Sequence, residues 1–67
     1  MVANRIQALR GLEGRHVGVA LRSGRRIEDC ELVAAPRGRV TSLWVLVDGA
    51  DTFVALDDLE DLWETAA

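Results

Sequence analysis

The chain has 67 residues, 49% of them apolar and 28% charged, with a net charge of −3. A chain of this length makes one domain and buries only about 60% of its unfolded surface. The single cysteine, Cys30, excludes an intrachain disulfide, and the single histidine, His16, leaves a structural zinc site short of ligands, so self-association is the expected source of extra stability.

Residues 2–10 predict a short helix, because Val2, Ile6 and Leu9 fall at i, i+4, i+7 and form one stripe. Gly11 supplies a C-terminal stop. Nine residues are too few for a helix that stands alone, so this one must dock. Residues 16–22 alternate strictly, with Val17, Val19 and Leu21 on one side and His16, Gly18, Ala20 and Arg22 on the other, as in a half-buried strand. Ser23-Gly24-Arg25 is a tight turn. A second strand spans 26–35, with Ile27, Cys30, Leu32 and Ala34 on its apolar face and Val33 on the other. The step from Ile27 to Cys30 is three residues rather than two, which implies a β-bulge at Glu28-Asp29 and a bend in the sheet. Pro36-Arg37-Gly38-Arg39 ends that strand, since proline donates nothing to a ladder.

Residues 40–47, Val-Thr-Ser-Leu-Trp-Val-Leu-Val, form the central strand, and their closing apolar run requires cover on both faces. Asp48-Gly49 is a strong hairpin signal. A fourth strand spans 52–56. The tail has two readings. Asp57 with Glu60 resembles a capping box, and Leu59, Leu62 and Trp63 fall at i, i+3, i+4, which suits a helix. A 3₁₀ turn at 57–59 followed by a fifth strand at 60–63 fits the same spacing.

Charge is divided along the chain. Every basic residue is an arginine within residues 1–39, where eight arginines face four acids, whereas residues 40–67 carry seven acids and no base. Such a division suits either a basic contact surface or a folded surface on which the two signs interleave. No apolar run approaches the roughly 18 residues of a membrane span, and no signal-peptide core opens the chain, so a cytoplasmic location is expected.

Leu12-Glu13-Gly14-Arg15-His16-Val17-Gly18-Val19-Ala20-Leu21, followed by Ser23-Gly24-Arg25-Arg26-Ile27, resembles the Gly-x-x-Val-x-Val-x-Leu-x-x-Gly-Arg opening of an Sm-like domain. Phe53-Val54-Ala55-Leu56-Asp57-Asp58-Leu59 is similar to the closing segment of many SH3-like barrels. The resemblance spans roughly residues 5–64. It implies a mainly β chain, a small five-stranded antiparallel barrel of the Sm-like or SH3-like kind with an N-terminal helix, and it favours the 3₁₀-plus-strand reading of the tail. It also implies assembly by pairing strand four of one subunit with strand five of the next. The Asp and Asn of the Sm uridine pocket have no counterparts, because that region reads Ala34-Ala35-Pro36-Arg37-Gly38-Arg39. The second basic motif is replaced by Leu56-Asp57-Asp58.

The functional expectation is a non-catalytic protein–protein interaction or self-assembly module. Its apolar contact residues are expected to be Trp44, Leu46, Val54, Leu62 and Trp63, because one core cannot take both faces of 40–47. The alternative is a nucleic-acid-binding Sm-like module using an arginine rim of Arg22, Arg25, Arg26, Arg37 and Arg39. The acidic balance and the lack of an aromatic residue among those arginines oppose it. No catalytic residue, metal site or cofactor is expected. His16 reads as a surface residue, Cys30 as a small core residue, and Asp57, Asp58, Glu60 and Asp61 as a solvated acidic turn.

Overall fold

The computed structural model describes residues 2–65, with side chains from Ile6 onward; those of Val2 and Arg5 lie outside the described residues. The helix α1 spans Val2–Arg10, and five strands follow: β1 (His16–Leu21), β2 (Arg26–Ala34), β3 (Ser42–Val47), β4 (Ala50–Ala55) and β5 (Leu59–Glu64). A 3₁₀ turn at Leu56–Asp58 precedes β5, so the tail folds as turn and strand. The strands form one antiparallel sheet in the order β4-β3-β2-β1-β5. β4 and β5 are its edges and do not pair with each other, so hydrogen bonds leave the sheet open.

Three register shifts shape the sheet. Val17 pairs with Cys30 and Val19 with Ile27, so β2 holds one extra residue at Glu28-Asp29, as the three-residue step requires. Val19 pairs with Leu62 and Leu21 with Leu59, which puts one extra residue in β5. That bulge produces the Leu59-to-Leu62 spacing that imitates a helix. The third shift lies at Val33: Leu32 pairs with Val45, but Ala34 pairs with Trp44. Opposed residues share a face, so Ala34 moves to the outer side with Trp44 and Ala35 takes the interior position, 4% exposed. The expected apolar face of β2 therefore holds through Leu32 and then switches. Each bulge adds local twist and bend, and together they wrap the sheet around its inner face.

That inner face carries the core: Val17, Val19, Cys30, Leu32, Leu43, Val45, Val54 and Leu59, with Leu9 from α1 and Ala35 beyond β2. Burying each large side chain contributes roughly 1.5–3 kcal/mol. The helix docks through Leu9, and Leu12 packs beside it. Gly11 does not take the left-handed conformation of a C-terminal stop. Instead the helix unwinds through Leu12 N–H to the Leu9 carbonyl and Glu13 N–H to the Arg10 carbonyl, and Gly14, at φ 86°, makes the reversal into β1.

The hairpin turns follow their residues. Gly24 has φ 95°, and its N–H donates to the Leu21 carbonyl. Asp48 (φ 52°) and Gly49 (φ 80°) alone join Val47 to its partner Ala50, the two-residue turn that suits right-twisted strands. The hairpin is tighter than expected, so β4 starts at Ala50 rather than Thr52. Val40 and Thr41 precede β3, because the ladder with β4 begins at Ser42 opposite Ala55.

Candidate interaction surface

The outer face of β3 and β4 is where large apolar groups meet solvent. Leu43 and Val45 point inward and are fully buried, so Trp44 and Leu46 must point out. Trp44 lies opposite Phe53 of β4, with ring centroids 6.0 Å apart and planes tilted by 31°. The Trp44 indole Nε1–H donates to Asp51 Oδ1 at 3.0 Å, which fixes the ring across the two strands. Trp44 is 37% exposed and Phe53 64% exposed. The expected cover on both faces of this stretch is thus incomplete within one chain: the core covers the inner face, while the aromatic pair stands open on the outer one. α1 does not supply that cover, since it packs through Leu9 into the interior.

The other expected contact residues separate. Leu46 is half-buried beside Trp44. Val54 is 6% exposed and belongs to the core, so it cannot form part of a contact surface. Alternation explains this: Val54 pairs with inward-facing Leu43, whereas Phe53 pairs with outward-facing Trp44. Leu62 is half-buried against the core. Trp63 lies opposite Gly18 of β1, and its indole fills the space where a side chain at Gly18 would stand. Arg26 covers that ring, with the guanidinium carbon 4.9 Å from its centroid, a cation–π contact. Trp63 is therefore held by its own chain. Phe53 was missed in the sequence because β4 reads as apolar on both sides, although its pairing with Trp44 follows once the two-residue hairpin is set.

The arginines are dispersed among local contacts. Arg22 Nε donates to the Asp57 carbonyl at 2.7 Å and ties the β1–β2 turn to the 3₁₀ turn. Arg26 pairs with Glu28 at 3.0 Å besides covering Trp63. Arg37 donates to both oxygens of Glu13, at 2.6 and 2.8 Å. Only Arg25 and Arg39 of the five rim candidates make no side-chain ion pair or hydrogen bond among the described residues. Glu13 also accepts the Ala35 N–H at 2.7 Å. That backbone bond, helped by the Arg37 charge and opposed by partial burial, holds its carboxyl below the usual glutamate range.

His16 and Asp29 meet across the β2 bulge, Nδ1 to Oδ1 at 3.1 Å, and both are exposed. They border a hollow of about 290 Å³ on the outer face, which Glu31, Leu46, Asp48 and Gly49 complete. Cys30 lies beneath it with its thiol turned inward, 3.5 Å from the Val17 carbonyl. Burial, with Asp29 nearby, pushes that thiol up and away from thiolate. Among the described residues, no group of three or more His, Cys, Asp or Glu residues is placed to hold a metal ion, and no helix is long and apolar enough to cross a membrane.

Compared with known proteins, the chain matches no family model, no curated protein and no solved structure.

Proposed function

We propose that this chain is a non-catalytic interaction module, a bent small barrel of the Sm-like or SH3-like kind, that self-associates through the outer face of β3 and β4. The observation that carries this reading is the Trp44–Phe53 pair, 37% and 64% exposed at one edge of the sheet. Two large aromatic rings side by side on a domain of 67 residues are costly in water and suit the centre of an interface. The strand order, the bulges and the 3₁₀ turn before β5 support the barrel-like reading of the architecture.

Sedimentation equilibrium at high micromolar concentration tests this function. Association is expected for the natural chain. Phe53→Ser is expected to shift it toward monomer while changing monomer stability by less than about 1 kcal/mol, since an exposed edge position gains little from the ring. A natural chain that remains strictly monomeric overturns the reading.

A further inference from the structure

The outer face offers more than the aromatic pair, and its two ends differ in chemistry. At one end is the hollow bordered by His16, Asp29, Glu31, Leu46, Asp48 and Gly49. The carboxylates of Glu31 and Asp48 have no hydrogen bond or ion pair among the described residues. At the other end, before β3, stand Arg39 and Val40. Val40 is 62% exposed, and Arg39 is exposed with no side-chain partner among the described residues. Both belong to the loop that joins β2 to β3, at the end of the sheet away from the Asp48-Gly49 turn. One end thus carries a cation beside a branched apolar side chain, and the other an acid-rimmed hollow floored by Leu46.

Trp44 lies midway between them along the chain. The six residues of β3 span roughly 17 Å. When two copies lay their outer faces together with strands reversed, Trp44 and Phe53 meet their own counterparts near the centre. The Arg39–Val40 end of each copy then reaches the hollow of the other. This is the self-complementary geometry of a two-fold dimer, in which residue i meets j and j meets i.

We infer that the occupant of this face is a second copy of the chain in reversed orientation, with Arg39 of each copy directed to the Glu31–Asp48 hollow of the other. The inference rests on the self-association proposed above and adds its partner and polarity. The arrangement is closed, so assembly stops at two through this face and leaves the β4 and β5 edges free. Both edge strands carry acids, Asp51 in β4 and Glu60, Asp61 and Glu64 in β5, whereas the reversed faces bring opposite charges together.

Charge exchange tests it. The natural chain, Arg39→Glu, Glu31→Lys and the double variant carrying both are compared by sedimentation equilibrium, with a thermal melt of each to establish folding. Each single reversal is expected to weaken the dimer about tenfold or more, because it acts at both symmetric contacts. The double variant recovers dimerisation, and so does an equimolar mixture of the two single variants. If Glu31→Lys melts without a cooperative transition, Asp29→Lys on the hollow's exposed rim takes its place. A natural chain that is monomeric overturns the underlying self-association. One that associates but ignores both reversals, that grows beyond a dimer in a charge-insensitive way, or whose double variant stays weakened overturns the reversed pairing alone.

Discussion

At the scale of single residues, the Gly18–Trp63 contact determines what the outer face of β1 tolerates. A methyl group on Gly18 would overlap the indole Cε2, Cζ2 and Nε1 atoms, so glycine here serves the close approach of a ring rather than backbone freedom. Gly18→Ala is expected to displace Trp63 from beneath Arg26 and to destabilise the fold by about 1–3 kcal/mol, the usual range for overpacking. Trp63→Ala removes the obstruction. The double variant should therefore lose less than the sum of the two singles, which urea denaturation of the four chains measures as a coupling energy. Glu13 has the opposite character, since its carboxylate is useful only when charged. It holds the Ala35 N–H and the Arg37 guanidinium and so fastens the chain leaving β2 to the turn before β1. Its folded-state pKa lies below the unfolded one, so its contribution is present above the ordinary glutamate range and disappears as pH falls through the lowered folded value. Denaturant midpoints followed downward from about pH 6 to pH 3 should fall less steeply in Glu13→Gln than in the natural chain.

At the scale of elements, the bulges bend the sheet, and they differ in how they appear in the sequence. The Glu28-Asp29 bulge was legible because it falls between two apolar residues that must both face inward, Ile27 and Cys30. The bulge in β5 was concealed, because one extra residue in a strand and one helical turn both give a three-residue apolar step. Only the architectural resemblance separated those readings. The bulge at Val33 left no trace, since Leu32, Val33, Ala34 and Ala35 are all apolar and any one could be the extra residue. The same ambiguity hid Phe53 beside Val54. The helix, the turns at Gly24 and Asp48-Gly49, and Trp44 and Leu46 on the outer side were readable because their residue types permit few alternatives. Removal of Glu28 tests the bend. Ile27 and Cys30 would still alternate inward, but the extra residue would be gone, so the deletion is expected to lower the thermal midpoint markedly. Glu28→Ala, which loses the same exposed ion pair and keeps the bulge, should stay within about 0.5 kcal/mol of the natural chain.

At the scale of the whole molecule, folding mixes the two charged halves only in part. Arg15–Glu64, at 2.7 Å, joins a basic residue of the first half to an acid of the second, whereas His16–Asp29, Arg26–Glu28 and Arg37–Glu13 all lie within the first half. The carboxylates of Asp48, Asp57, Asp58 and Glu60 remain without partners among the described residues. The molecule therefore carries its negative charge toward the β4 and β5 edges. Charged edges resist edge-to-edge pairing with other chains, which directs association to the face that carries Trp44 and Phe53.

The strand order also has a consequence for how the chain forms during synthesis. β1 to β4 pair with their neighbours in sequence and can zip up as each emerges, but β1 receives its second partner only from the last strand, with Val17 opposite Glu64. Until β5 has been made and has docked, one side of β1 has unpaired amides and Gly18 has no ring above it. The slowest loop to close is thus the one between Val17 and Glu64, the longest in the sheet. A chain interrupted before β5 would keep its β1–β2 and β3–β4 hairpins and still present a sticky seam, the kind of species that quality-control proteases find first.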